Sequence, residues 1–364
     1  MPIVVRARTV AGATAKLNLP LMPTFLVTGA TGFLGHHVME ALRREVPDAQ
    51  LLALVRASGS AARGAHQLPP GTEVVSGSPL DVAAWKDDPR LASLDGVFHL
   101  AAQVRHSRSE IVDMVRLNVE GTSRMVRLAA EKECRLIFAS TSGTVGCSKD
   151  PRSAPDEDAP YCEETVRNWP YYFSKVQAER EARALAEELG VHLVIFRPPV
   201  ILGPGDHRFR STGNVLRVLK KRLPFIIDGE MHFVDVRDAA AAMVRAMLLP
   251  AARPVYHLAG TVCPLDEFFC MIAREAGIEA TWKKLPAKLI WYVARLNEMS
   301  GLRLHIVPDP VVIEMAMHHW RISSRYAEAE LGYRSRDPSE TIADTVAWMR
   351  QNHPDLKGGA PAAG

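Results

Sequence analysis

Six short, mostly apolar runs recur along the first two hundred residues, each set off from the next by a helical pattern or a turn. They are Thr24–Thr28, Leu51–Val55, the weaker Glu73–Val75, Gly96–Ala101, Arg135–Ala139 and His192–Phe196. Strands without polar alternation are buried on both faces, which is the habit of a parallel sheet. Helical spacing fills the gaps. Phe33–Glu45 reads as a helix. Between Ser109 and Ala130, Ile111, Met114, Val115, Val119, Val126 and Ala129 recur at helical intervals. Phe173 to Gly190 reads as a third helix, closed by its glycine. Parallel strands joined by right-handed helical crossovers make a doubly wound α/β sheet.

After residue 200 the alternation loosens. Leu202–Arg210 is loop-rich, and Val236–Leu249, Leu265–Ala276 and Pro286–Glu298 read as helices, with a late strand at Pro254–Leu258. The predicted organisation is a nucleotide-type domain over 23–200 and a smaller, partly interleaved substrate region over 201–355 without an independent core. Residues 1–22 read as a leader or as a start misassigned upstream of Met22, and 356–364 as a disordered tail. The 364 residues carry a net charge of only +3, so composition offers no argument for a nucleic-acid partner. Cys134, Cys147, Cys162, Cys263 and Cys270 form no C-x-x-C pair, which fits a reducing, cytoplasmic setting and no metal centre. The longest uncharged stretch, Leu17–Met39, is broken by Pro20, Pro23, Gly29, Gly32 and Gly35, so no integral membrane segment is expected.

The first strand runs into Thr28-Gly29-Ala30-Thr31-Gly32-Phe33-Leu34-Gly35 and then into the first helix. A glycine turn between a strand and a helix presents backbone N–H groups and a helix dipole to an anion. Gly29 permits the tight turn, Gly32 lets backbone approach a pyrophosphate, and Gly35 lets helix and strand pack closely. Thr31, Phe33 and Leu34 complete this cofactor loop. The spacing is G-x-x-G-x-x-G rather than G-x-G-x-x-G, and a plain strand–helix turn is the alternative. The second strand ends at Arg56. An acid there would bind the ribose 2′-hydroxyl of NAD, whereas an arginine pairs with the 2′-phosphate of NADP. NADP is therefore expected, with NAD as the alternative.

Tyr171 and Lys175 stand four apart at the start of a predicted helix, on one face. A phenol titrates near 10, and a neighbouring ammonium is expected to lower that value and make the phenol an acid–base catalyst. An exposed i,i+4 contact is the bland reading. Ser140, Thr141 and Ser142 place three hydroxyls at the C-terminal end of the fifth strand, the edge where doubly wound sheets bind ligands. They could equally satisfy a turn.

These motifs together resemble the extended short-chain dehydrogenases/reductases, over about Pro23 to Asn352. The resemblance rests on Thr28–Gly35, Val97-Phe-His-Leu-Ala-Ala102, Asn118-Val-Glu-Gly-Thr122, the Tyr171/Lys175 pair and Arg197–Pro204. Leu54-Val-Arg56, Ser142–Val145, Leu331-Gly-Tyr333 and Trp348 are similar to the dihydroflavonol reductase and 3β-hydroxysteroid dehydrogenase branch. The resemblance implies a Rossmann fold and a catalytic Thr141, Tyr171 and Lys175. It also implies a supporting Asn118, whose bland reading is a satisfied buried amide. Ser140, Leu100, Ala101 and Ala102 then fall beside the cofactor, and Pro198 to Val200 flank the nicotinamide. The family's Gly-Asp-Leu after the third strand is replaced by Gly77-Ser-Pro-Leu-Asp81, which displaces the adenine-binding acid to Asp81.

The leading expectation is NADP-dependent reduction of a ketone or aldehyde, or the reverse oxidation. Apolar runs at Leu289–Val293 and Phe268–Phe269 hint at a bulky hydrophobic small-molecule substrate, with core packing as the equal alternative. An NAD-dependent nucleotide-sugar epimerase is the second reading, and 3β-hydroxysteroid dehydrogenase a narrower one. A dehydratase lacks the extra acid and base beside Thr141. A non-catalytic NADP-binding protein would not need the phenol. A homodimer is compatible with the sequence.

Overall fold

The computed structural model describes residues 6–8, 14–16, 20–57, 68–106, 111–300 and 308–356. Two three-residue strands, Arg6–Arg8 and Thr14–Lys16, pair antiparallel near the N-terminus. Residues 1–5, 9–13 and 17–19 of the expected leader, and the expected tail beyond Leu356, lie outside the described residues.

The central element is a seven-stranded parallel sheet. Its strands are β1 (Thr24–Thr28), β2 (Gln50–Val55), β3 (Thr72–Ser76), β4 (Gly96–His99), β5 (Arg135–Ala139), β6 (Leu193–Arg197) and β7 (Val255–His257). Their spatial order is 7-6-5-4-1-2-3, so the chain reverses direction between β1 and β4. Ligands of open α/β sheets sit outside the strand ends at that reversal. The register brings Thr28 beside His99, His99 beside Phe138, Ala139 beside Phe196 and Arg197 beside His257. These strand-end residues therefore lie along one edge.

Helices cover both faces. On one side α1 (Phe33–Glu45) and α4 (Val236–Leu248) bury Val38, Met39, Leu42, Met243 and Met247 against Phe25, Val27 and Phe98. On the other, α2 (Val112–Glu131) and α3 (Pro170–Leu189) bury Met125, Val126, Ala178, Ala182 and Leu185 against Leu26, Val97 and Leu136. Successive strand residues point to opposite faces, so a continuous apolar run serves both layers.

The chain crosses back over residue 200. Both α4 and β7 come from beyond that point, yet they complete the Rossmann sheet and its cover. Pairing with β6 compensates a strand of only three residues. The remaining C-terminal segments do form a core of their own, against the sequence expectation. Leu202, Val215, Phe233, Phe268, Ile272, Ile342 and Val346 pack together there, around a three-stranded sheet. Phe268 and Phe269 belong to this core and do not line a substrate cavity.

Close packing is tightest where β1 meets α1. A methyl group on Gly35 would stand 2.1 Å from the Gly29 carbonyl oxygen. Both partners are backbone and cannot step aside. Gly35→Ala should cost about 1–3 kcal/mol, as overpacking does. Urea unfolding measures it, and an unchanged midpoint would show that α1 is free to shift.

Candidate active site

The turn after β1 is built for close approach. Gly29 has φ +74°, and a Cβ there would fall 2.8 Å from the Ala101 nitrogen. The Gly29 carbonyl accepts from Gly32 N–H at 2.8 Å. Gly32 caps α1 with no side-chain partner, and the first turn holds no acid. The first amides of the helix and its positive dipole end thus face a small cleft lined by Ala30, Thr31, Gly32, His36, Gly205 and His207. Phe33 and Leu34 open the helix behind it. His37 Nε2 meets the Pro204 carbonyl at 2.8 Å and holds the opposite wall. An uncapped helix start beside a glycine turn fits the pyrophosphate of a dinucleotide.

Leu100, Ala101 and Ala102 follow β4 and lean on this turn. Thr28 accepts through its carbonyl from Leu100 N–H and through Oγ1 from Ala101 N–H, both at 3.2 Å. His99, buried beneath, bridges Thr28 Oγ1 at 2.8 Å and Thr122 Oγ1 at 3.2 Å. Burial first, and the charge of Lys175 second, pull its pKa down to about 3, so it serves as a neutral hydrogen-bonding link. Asn118 is buried on α2. Its side chain accepts from Gln103 N–H at 2.9 Å and donates to the Gln103 carbonyl and to Ser174 Oγ, both at 3.0 Å. All its capacity goes to tying the post-β4 loop to α3, so the geometry gives Asn118 a positioning role.

At the end of β5 the three hydroxyls divide. Ser140 donates to the buried Glu179 carboxylate. That bond commits its proton to the network below the turn. Thr141 is buried, and its Oγ1 accepts from Gly143 N–H at 3.3 Å. Among the described residues no acceptor takes its proton. Ser142 is buried in the following turn, its N–H held by the Pro198 carbonyl at 2.8 Å.

Pro170 at the start of α3 sets Tyr171 and Lys175 one turn apart. Lys175 is fully buried and donates from Nζ to the Ala139 carbonyl at 2.8 Å. Desolvation lowers its pKa to about 7, against the opposing pull of Glu179. The half-buried Tyr171 sits edge-on to Tyr172 and to His106. Burial pushes its phenol above the ordinary tyrosine range. This reverses the expectation that Lys175 lowers it. With the lysine turned to a carbonyl and both groups desolvated, the loss of hydration decides. The phenol therefore keeps its proton in the cofactor-free protein.

Sequence reasoning missed the pair beneath these groups. Arg197 donates from Nε at 3.0 Å and from Nη2 at 2.6 Å to Glu179 Oε2, and both side chains are buried. Glu179 also accepts from Thr144 Oγ1 at 3.0 Å, and Arg197 Nη1 lies 3.2 Å from His257 Nε2. The signal was present: an arginine and a histidine each close an otherwise apolar strand, where neither can be left without a partner.

The remaining candidates lie farther out. Arg56 is exposed just past β2, the end expected for a 2′-phosphate. Asp81 is exposed beyond a turn held by the Trp85 indole on the Ser78 carbonyl at 2.9 Å. Pro198 is buried against the Ser142 turn, and Val200 is exposed at the start of a short strand. Beside Tyr171 stands an aromatic wall. Tyr172 is 4.9 Å from Trp320, which is 5.6 Å from Trp169, and His106 lies 6.0 Å from Tyr172. The described residues hold no group of three or more His, Cys, Asp or Glu side chains that could bind a metal.

A Rossmann sheet, an anion-binding helix start and a hydroxyl–phenol–amine cluster on one edge define a nicotinamide-dependent enzyme of the oxidoreductase type. Residues 25–259 match the NAD dependent epimerase/dehydratase family, and the chain belongs to it. It is 34% identical over 189 residues to cinnamoyl-CoA reductase 1 of Arabidopsis thaliana, covering 50% of this chain and 54% of that one. It is 30% identical over 205 residues to dihydroflavonol 4-reductase of Zea mays, covering 53% and 55%. The chain thus spans about half the length of these two curated relatives. The crystal structure of gox2253 is similar over 91% of this chain and 98% of its own, at 27% identity and a TM-score of 0.77. These likenesses set the chain in the dihydroflavonol-reductase-like branch of the extended short-chain dehydrogenases/reductases.

Lys175 gives a pH signature. Its ordinary value is 10.5 and its folded value about 7. Between the two, the unfolded chain holds a proton that the folded chain lacks, so stability rises with pH across this window. Lys175→Met should flatten that rise. The difference in urea midpoint between wild type and variant, compared at about pH 7 and about pH 8.5, measures it. An equal difference at both values would show that this amine is not the buried titrating group.

Proposed function

We propose that the protein is an NADP-dependent oxidoreductase of the cytosol that reduces the ketone or aldehyde of a bulky hydrophobic small molecule, or oxidises the alcohol. The observation that carries the reading is the placement of Tyr171 one turn before the buried Lys175, at the strand end that carries Thr141. When bound, the nicotinamide would supply or accept hydride. Thr141 donates its free proton to the substrate oxygen and orients it. Tyr171 delivers a proton to the same oxygen as negative charge builds there. Lys175, titrating near neutral, restores the proton that Tyr171 loses and holds the nicotinamide ribose.

The loop from Gly29 to Gly35, with Leu100 to Ala102, holds the pyrophosphate and adjoining ribose. Pro198 and Val200 border the nicotinamide. Arg56 meets the 2′-phosphate, and Asp81 is the acid nearest in sequence to the missing adenine contact. The wall of Tyr172, Trp169 and Trp320 supports a flat, apolar substrate, and the two relatives above are named as reductases of cinnamoyl-CoA and of a dihydroflavonol.

Tyr171→Phe should leave NADPH affinity nearly intact and cut turnover by about 10²–10⁴, the usual worth of a general acid. Nucleotide fluorescence titration and steady-state rates across ketones, sterols, flavonoids and aldehydes read the two effects apart. Turnover that survives would overturn the mechanism. So would enzyme that purifies with NAD and interconverts nucleotide sugars.

Arg56→Asp should move the NADPH-to-NADH preference toward NADH by about tenfold or more, since a carboxylate repels the 2′-phosphate and accepts from the 2′-hydroxyl. An unmoved ratio of kcat/KM for the two nucleotides removes Arg56 from the cofactor site.

A further inference from the structure

Beyond the central domain, α5 (Ala287–Ser300) and α6 (Pro310–Ala316) form a helical pair. The inner face of α5 buries Ala287, Ile290 and Ala294 against Ile313. Its outer face is also apolar. Leu289, Tyr292, Val293, Leu296 and Met299 fall at i, i+3, i+4, i+7 and i+10, which is a single stripe. They are 55%, 63%, 42%, 66% and 76% exposed. A helix of a water-soluble fold normally turns charge outward at these positions.

The sequence around this stripe is basic. From residue 283 to residue 307 the sequence carries Lys283, Lys284, Lys288, Arg295 and Arg303 against one acid, Glu298. The whole chain has a net charge of only +3, so its positive excess is concentrated in this segment. Arg295 meets Glu298, and Lys284 meets Asp228 and Asp266. Lys283 and Lys288 are exposed, and no ion pair engages them among the described residues.

We propose that the outer face of α5 docks on the surface of an anionic phospholipid bilayer. An apolar stripe in a lysine-rich segment, carrying a tyrosine, is what lies in the headgroup boundary. With 14 residues α5 is too short to span, and no helix among the described residues is long and apolar enough to cross a membrane. A second copy of the chain is the poorer occupant. A two-fold contact through this stripe would set the two lysine-rich segments against each other.

The docked face would stand close to the site. Glu314 on α6 accepts from Trp291 of α5 at 3.1 Å and from Trp169, two residues before Tyr171, at 3.2 Å. A bilayer-bound α5 thus places the aromatic wall beside a reservoir of apolar molecules. The docking itself rests on the stripe and its charge, and holds whatever the enzyme reduces.

Vesicle flotation of the full chain tests it directly. One set of vesicles holds about one part phosphatidylglycerol to three of phosphatidylcholine, and the other phosphatidylcholine alone. Wild type should float with the anionic set, and binding should fall about fivefold or more with neutral vesicles or when salt rises from about 0.1 M to about 0.5 M. Leu289→Glu combined with Leu296→Glu should abolish flotation without changing the thermal midpoint. Lys283→Glu combined with Lys288→Glu, on exposed side chains, should weaken it on anionic vesicles and supplies the test should the first variant fold poorly. Wild type that stays with the soluble fraction overturns the proposal, as does flotation indifferent to both variants. A dimer that the leucine variant splits, with no vesicle binding, also overturns it and assigns the face to a second copy.

Discussion

The ion pair between Glu179 and Arg197 joins the parts of the catalytic edge that the chain supplies separately. Glu179 comes from α3, Arg197 from the end of β6, Ser140 and Thr144 from beyond β5, and His257 from the end of β7. Taking both charges out of water costs several kcal/mol each, and only a bidentate geometry with the remaining lone pairs filled offsets that cost. The observed network meets that condition. Its value lies in geometry: a buried carboxylate with three kinds of donor has one arrangement, so the turn carrying Ala139, Ser140 and Thr141 has one arrangement too. Lys175 reads that turn through the Ala139 carbonyl.

Two electrostatic problems are thereby solved on one edge by opposite means. At the start of α1 the protein leaves donors open, with no cap and no acid in the first turn, and so presents positive potential to an anion. Under the turn after β5, Asn118, His99 and Glu179 spend their hydrogen bonds internally. A rigid floor of satisfied polar groups below an unsatisfied rim confines reactive capacity to Thr141 and Tyr171. The cost of this dryness is the upward shift of the Tyr171 phenol and the downward shift of Lys175. These shifts draw the proton affinities of the pair apart, so a phenolate formed at Tyr171 would take a proton from the Lys175 ammonium downhill.

Much of the fold was legible because its signals are local. The strand Arg135–Ala139 and the helix Leu265–Ala276 fall where periodicity placed them, and Gly190 ends α3 with φ +69°. The late strand at Pro254–Leu258 was legible as a strand, but the sheet it joins, as β7, was not. Three residues after a long excursion carry no periodicity, and their membership of the sheet is decided by pairing with β6. The partner of Arg197 escaped for the same reason. A charged residue in an apolar strand announces that it needs a counter-ion but not which one, since Glu179 reaches it only once α3 has folded across the sheet. The reading of Phe268 and Phe269 stayed open between substrate and core because an apolar pair looks alike in either place, and the structure puts both in the core.

The division of labour between the two halves follows from these packing facts. The Rossmann half covers one face of its sheet with α2 and α3 and shares the other between α1 and α4. The C-terminal half has its own apolar core yet contributes α4 and β7 to the first, which fixes how the two halves sit. Contacts between Trp169 and Trp320, and from Trp169 through Glu314 to Trp291, then carry the C-terminal segments up to Tyr171. Glu314 is the economical part of this arrangement. One carboxylate satisfies two indoles, and so removes the penalty of burying either. Because the same side chain holds the residue before α3 and the helix that carries the exposed stripe, two hydrogen bonds tie that stripe to the start of the helix bearing Tyr171.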